Sequence, residues 1–216
     1  MQIKICGMRC TKNIADITGK QPDYLGFIFY EKSPRFAQAD IANFVRSSVP
    51  NEIKKIGVFV NEVNEKISQR VTEFQLQGIQ MHGDETIERC REIRKLFPNL
   101  LLSKAFGVDD KFCLSEVNAY ATHCDYLLFD TKTKNYGGSG KTFSWNILRN
   151  YSLTVPFFLS GGIGLTNIDE VIRFSRDIPQ LMGVDVNSKV ELQPGVKNVK
   201  VVQEMIERVR NGTSCR

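Results

Sequence analysis

Eight short apolar runs, each followed by a longer amphipathic segment, constrain the fold of this chain more than any other feature. The runs cover residues 2–6, 24–29, 55–60, 78–82, 100–104, 126–130, 155–160 and 181–185. They are rich in Ile, Val, Leu and Phe and apolar on both alternating faces, the pattern of parallel strands buried on two sides. Helical patterns lie between them, at 11–18, 39–47, 63–75, 87–96, 111–122, 144–150, 167–174 and 199–209. Ile67, Val71 and Phe74 mark the apolar stripe of one such helix, and Val201, Val202, Met205, Ile206 and Val209 that of the last. Asp84 before Glu85, and Thr166 with Asp169 three residues on, read as helix caps. Eight strands alternating with eight helices predict an α/β fold of the (β/α)8 barrel type, one domain spanning residues 1–216. A doubly wound open sheet is the competing architecture. It carries a glycine-rich first turn, whereas the turn here is Cys6-Gly7-Met8-Arg9.

Composition narrows the function classes. The content is 42% hydrophobic and 25% charged, ordinary for a globular domain, and no stretch is apolar for long enough to span a bilayer. Met-Gln-Ile-Lys runs straight into a strand without a secretory leader, so the cytoplasm is the expected compartment and no membrane partner is expected. The six cysteines show no disulfide-framework spacing and are expected as thiols. Two histidines, His82 and His123, supply a zinc site poorly, and no metal is expected. The net charge of +5 is spread along the chain. It lacks the basic stripe with interleaved aromatics of a nucleic-acid surface, while a mild positive bias suits a small anionic substrate. Monomer and homodimer both stay open.

In a barrel of this kind the functional groups sit where strands end. Cys6 closes the first strand. A lone cysteine is most often a buried packing residue, so its position has to argue against that reading. Asp130 closes the sixth. It is either a turn cap for Thr131 or a carboxyl at the inner rim that holds its proton and serves as an acid. In a ring of eight, strands one and six are three steps apart, which sets Cys6 and Asp130 across the mouth from each other. Ser160-Gly161-Gly162-Ile163-Gly164 follows the seventh strand and precedes a helix, where a barrel commonly binds phosphate, although a Gly-Gly pair is also an ordinary turn. Arg35 in the second loop suits a carboxylate or phosphate, or is a solvated surface arginine. His82 is either a packed histidine or a substrate contact.

Gly137-Gly138-Ser139-Gly140-Lys141-Thr142 imitates the end of a Walker A loop. That motif needs a glycine at position 135, which is Asn. The segment reads instead as a loop over the barrel mouth able to close on substrate.

Taken in order, the segments form a pattern. They are Lys4-Ile5-Cys6-Gly7, Leu25 to Tyr30 with Lys32-Ser33-Pro34-Arg35, Gly57-Val58-Phe59-Val60-Asn61, and Ile79-Gln80-Met81-His82-Gly83-Asp84-Glu85. Leu128-Phe129-Asp130-Thr131, Gly138 to Trp145, Leu159 to Ile163, Gly183 to Ser188 and Pro194-Gly195-Val196-Lys197 continue it. Together these resemble the phosphoribosylanthranilate isomerase family of tryptophan biosynthesis, across nearly the whole chain. The resemblance implies a cofactor-free Amadori rearrangement of a small phosphoribosyl substrate. By the same resemblance Asp130 is the general acid and Cys6, as thiolate, the general base. It further implies that Arg35 holds the anthranilate end, that Gln80 and His82 contact substrate, and that Gly161, Gly162, Asp185 and Ser188 hold the phosphate end, with Asp185 also near the reacting sugar.

The chain departs from the family pattern in places. Met81 stands where the family usually shows Leu, a volume-conserving exchange. Asn187 replaces a Ser and Lys189 a Gly in the eighth loop, so a hydroxyl contact at 187 is lost while a backbone contact survives. Two rivals remain to be weighed. Another phosphosugar barrel enzyme would need metal-binding His and Asp groups, or a lysine acid at the barrel mouth that no residue of the first strand supplies. A silent phosphate-binding barrel would have lost Cys6 or Asp130, and both are present. Lys4 is the one basic residue near Cys6 in sequence, so activation of the thiol has to come from groups the fold brings in.

Overall fold

The computed structural model describes residues 1–132 and 143–212. Eight parallel strands close into a barrel in sequence order: β1 (Gln2–Ile5), β2 (Tyr24–Ile28), β3 (Lys54–Phe59), β4 (Gly78–Met81), β5 (Leu101–Val108), β6 (Tyr126–Thr131), β7 (Phe157–Leu159) and β8 (Leu181–Val186), with β8 pairing back onto β1. Closure removes the unpaired edges that an open sheet of this size would leave. The expected (β/α)8 architecture is therefore the one observed. No helix among the described residues is long and apolar enough to cross a membrane.

The strands read as continuous apolar runs because both of their faces are covered. Outward residues such as Ile3, Leu25, Phe27, Ile79 and Phe129 pack under the helices in one extended core. Inward residues form a second cluster, in which Tyr24, Ile56, Ala105, Tyr126, Leu128 and Phe158 fill the barrel. Tyr24 and Tyr126 each set an edge against the Phe158 ring at a centroid distance of 5.3 Å. This aromatic plug near the strand starts leaves the opposite, carboxyl-terminal end for function. Above it the interior turns polar: Lys4, Gln80, Ser103 and Asp185 are all buried. The register pairs Lys4 with Asp185, so the two side chains leave adjacent strands toward the same interior.

Among the described residues six helices cover the barrel: α1 (Thr11–Thr18), α2 (Ala42–Ser48), α3 (Asn64–Phe74), α4 (Ile87–Leu96), α5 (Ile168–Asp177) and α6 (Val199–Asn211). The helices expected at 111–122 and 144–150 are short 3-10 segments instead, Leu114–Val117 and Trp145–Asn150. Cys113, Ser115, Val117, Asn118 and Thr122 are weak helix formers, and the second segment is too short to repay helix nucleation. Two caps also differ from expectation. Thr86 caps α4, accepting from the Arg89 N–H at 3.3 Å, while the Glu85 carboxylate turns back to accept from Gly83. α5 begins after Asn167, whose side chain serves the preceding loop. A hairpin that periodicity did not reveal, β9 (Glu191–Gln193) and β10 (Val196–Lys197), turns at Pro194-Gly195 between β8 and α6. The decoy phosphate motif at 137–142, and the loop expected there, lie outside the described residues.

Candidate active site

Cys6 directly follows β1, on the same side as Lys4 because strand side chains alternate. Its N–H donates to Val186 O at 2.9 Å, and the next residue, Gly7, has φ +78° and donates to Gly26 O. A Cβ on Gly26 would sit 2.8 Å from Cys6 Sγ and 3.2 Å from Lys4 Cε. The glycine inside β2 is thus the space in which the thiol lies, which is why a strand interior tolerates it. Cys6 is only 5% exposed. Burial pushes its thiol up from the ordinary value; Lys4 opposes this, Asp185 adds to it, and Lys197 opposes it.

Beneath Cys6, Lys4 Nζ donates to Asp185 Oδ2 at 2.7 Å, with both side chains buried. Burial works against the Lys4 charge, yet Asp185 holds its pKa above the ordinary lysine value. Burial pushes the Asp185 carboxyl upward, Lys4 pulls it down, and Asp130 and His82 both act on it. Asp185 Oδ1 has no hydrogen-bond partner among the described residues. Asp185 therefore lies electrically between the Cys6 side of the mouth and the Asp130 side.

On that far side, Asp130 Oδ2 is 3.5 Å from His82 Nε2, and Asp130 Oδ1 accepts from the Thr131 N–H at 2.8 Å. The turn-capping and the site-facing readings of Asp130 hold together, one oxygen for each. Gln80 Nε2 lies 2.8 Å from His82 Nδ1, which sets the ring with its Nε2 toward Asp130. The loop carrying His82 is held from behind. Glu85 accepts from the N–H groups of Asn61 and Gly83, while Lys104 Nζ donates to Gly83 O at 2.7 Å and pairs with Glu85 at 3.2 Å.

Arg35 is not a solvated arginine. Its guanidinium forks onto Glu191, with Nη2 2.7 Å from Oε2 and Nε 3.0 Å from Oε1. The same carboxylate accepts from Lys197 Nζ at 2.8 Å and from the Gly195 N–H at 2.9 Å. Burial alone would raise the Glu191 carboxyl, but Arg35 and Lys197 hold it below the ordinary carboxylate range. Lys197 also donates to Asn187 Oδ1 at 2.7 Å. The Arg35 stem and Asn187 Oδ1 close on Gly7 from two directions, where a Cβ would meet them at 2.8 and 2.9 Å.

The loop after β7 runs through Gly161 (φ +85°) and Gly162 (φ +69°), backbone angles that only glycine adopts readily. A Cβ on Gly161 would sit 2.5 Å from the Thr131 backbone nitrogen, so this loop lies directly against the end of β6. Asn167 fixes it, accepting from the Gly164 N–H at 2.9 Å and donating to Gly162 O at 3.1 Å. Ser188 opens the single 3-10 turn after β8, and Gly164 packs against the neighbouring Lys189. Among the described residues, the candidate catalytic and substrate-binding residues thus lie at the carboxyl-terminal end of the barrel. Cys6, Asp185, Asp130, His82 and Gln80 form one linked floor; Arg35 stands on one flank, with the Gly161-Gly162 loop and Ser188 above β7 and β8. Sequence reasoning gave no site role to Glu191, Lys197, Glu85, Lys104 or Gly26, although Gly26, Glu85 and Lys197 stand in the family-like segments. The glycine inside a strand was a further signal.

Residues 3–208 match the model of the N-(5'-phosphoribosyl)anthranilate isomerase family. The N-(5'-phosphoribosyl)anthranilate isomerase of Phocaeicola vulgatus is 39% identical over 210 residues, covering 97% of this chain and 98% of that protein. That of Parabacteroides distasonis is 37% identical, covering 97% and 93%. Among solved structures, the phosphoribosyl anthranilate isomerase of Thermotoga maritima superposes with a TM-score of 0.82 at 34% identity, covering 98% of this chain and 99% of that one. A phosphoribosyl anthranilate isomerase solved with reduced 1-(o-carboxyphenylamino)-1-deoxyribulose 5-phosphate superposes with a TM-score of 0.79 at 29% identity, covering 98% and 99%. On this match, which spans almost the whole chain, the protein belongs to the N-(5'-phosphoribosyl)anthranilate isomerase family.

Proposed function

We propose that this barrel mouth isomerises N-(5-phosphoribosyl)anthranilate to 1-(2-carboxyphenylamino)-1-deoxyribulose 5-phosphate in L-tryptophan biosynthesis, with Asp130 as general acid and Cys6 as general base. The observation that carries the reading is the placement of one thiol and one carboxyl on opposite sides of a single ring, joined through Asp185. Asp130 donates a proton to the ribose ring oxygen as the C1–O bond breaks, and the anthranilate nitrogen supplies the electron pair that forms the Schiff base. The Cys6 thiolate removes the proton from C2, and those electrons give the enolamine, which tautomerises to the ketone. No atom is gained or lost. His82 stands beside Asp130, its Nε2 3.5 Å from Oδ2, with Gln80 fixing the ring.

The two ends of the substrate define the rest. Arg35 offers its guanidinium to the anthranilate carboxylate, and its fork on Glu191 keeps that guanidinium in one orientation before substrate arrives. The Gly161-Gly162 loop and Ser188 take the phosphate, since two positive-φ glycines leave no side chain between the backbone and an anion. The solved relative that holds a reduced form of the product supports a small phosphoribosyl ligand for this mouth. Given N-(5-phosphoribosyl)anthranilate, the purified protein is expected to convert it with loss of the substrate fluorescence, and its gene to restore growth of a tryptophan auxotroph lacking this step. Absence of turnover by the folded protein contradicts the reading.

A further inference from the structure

Two buried lysines act on the Cys6 thiol through their charge, and they differ in how completely that charge is cancelled. Lys4 on β1 faces Asp185 on β8 in a one-to-one pair at 2.7 Å. On the other side Glu191 of β9 carries one negative charge against two positive ones, Lys197 of β10 at 2.8 Å and Arg35 of the second loop at 2.7 Å. The hairpin side therefore has a surplus cation. The Lys197 side chain is fully buried; burial pushes its ammonium below the ordinary lysine range, and Glu191 works against that. Its ammonium bonds Asn187 Oδ1, the atom that lies against Gly7, the residue after Cys6. Asn13 fixes the Lys197 backbone from both sides, donating to its carbonyl at 2.9 Å and accepting from its N–H at 2.7 Å. A rigid lysine buried at such structural expense, behind the thiol turn, is otherwise unexplained.

We infer that Lys197, fixed by Asn187, Asn13 and Glu191 behind the Cys6–Gly7 turn, is the positioning cation that sustains the Cys6 thiolate, and that Glu191 is its tempering counter-charge. The inference rests on the reading of Cys6 as the base. It answers how a buried thiol can ionise: burial and Asp185 disfavour the thiolate, while Lys4 and Lys197 favour it, and only Lys197 belongs to a cluster with charge to spare. Glu191 also orients Arg35, so one carboxylate links the base to the substrate-carboxylate end of the site. The β9–β10 hairpin is thereby part of the active site and not a surface ornament.

The test uses the full-length protein and reads the Cys6 ionisation directly, through the pH dependence of iodoacetamide alkylation resolved on the Cys6 peptide, alongside the pH dependence of kcat/KM. K197M should raise the Cys6 ionisation by about one pH unit, and so move the acid limb of kcat/KM upward and lower neutral-pH kcat/KM about tenfold. K197R should restore most of both. An unmoved Cys6 titration in folded K197M overturns the inference. Should K197M not fold, K197Q is read in its place: an upward shift of the Cys6 ionisation supports, an unmoved or downward one refutes. C6S separates the two readings: normal turnover in C6S removes the base assignment, while Cys6 alkylation in the parent and K197M proteins still reports the cation.

Discussion

Lys4 Nζ donates to Asp185 Oδ2 at 2.7 Å across the seam where β8 closes onto β1, in the centre of a barrel whose other filling is largely apolar and aromatic. Two charges held there cannot be a packing convenience. Desolvation makes such a pair no more stabilising than well-packed apolar residues, whereas losing one member leaves an orphaned buried charge.

K4M should therefore destabilise the protein by about 3 kcal/mol, and the double variant K4M/D185N should recover most of that loss. The sign with pH follows. Without Lys4, the folded state holds the Asp185 proton more tightly than the unfolded chain does, so stability grows as pH falls. The K4M deficit should shrink as pH falls from neutral toward the ordinary carboxylate range. Urea unfolding midpoints across that range check it; a K4M protein as stable as the parent at neutral pH contradicts it.

Gly26→Ala is a small change with a large expected effect. The new Cβ would lie 2.8 Å from Cys6 Sγ and 3.1 Å from Cys6 Cα, so the thiol has to move. A displacement near 1 Å of a reacting group costs about 10²-fold in rate. The variant should keep its circular dichroism spectrum while kcat falls by about that factor; unchanged kcat would remove Gly26 from the site.

Arg35→Met should act on binding. Losing a charge-assisted contact to the substrate carboxylate costs about 1.5–3 kcal/mol, which is about 10- to 150-fold in KM. Arg35→Lys should recover little, because a point charge cannot reproduce the fork now seated on Glu191. Steady-state kinetics decide: an effect confined to kcat places Arg35 elsewhere in the reaction.

Much of this site was legible before the fold. Cys6, Asp130 and the Gly161-Gly162 loop each follow an apolar strand, and a closed ring fixes which strands face each other. Periodicity failed where local propensity was weak, so two expected helices are only single 3-10 segments. It failed more deeply for the charged groups. Lys4 stands out in sequence only as the basic residue near Cys6; its partner Asp185, 181 positions away, is set beside it by the β1–β8 register. Glu191 draws no attention in sequence, and Lys197 is quoted only in a family-like segment, with no role. Only the hairpin turn and the approach of Arg35, 156 positions from Glu191, make them one cluster. Gly26 was quoted for its family resemblance, but its purpose is a distance to sulfur that no sequence pattern contains.

The central claim is that Cys6 and Asp130 divide the proton transfers. Its most direct measurement is the kcat of C6S and of D130N with N-(5-phosphoribosyl)anthranilate, followed by loss of substrate fluorescence. Each proton transfer contributes about 10²–10⁴ in rate, so each variant should lose at least about 10² in kcat with a much smaller change in KM. Turnover near that of the parent in either variant would contradict the assignment.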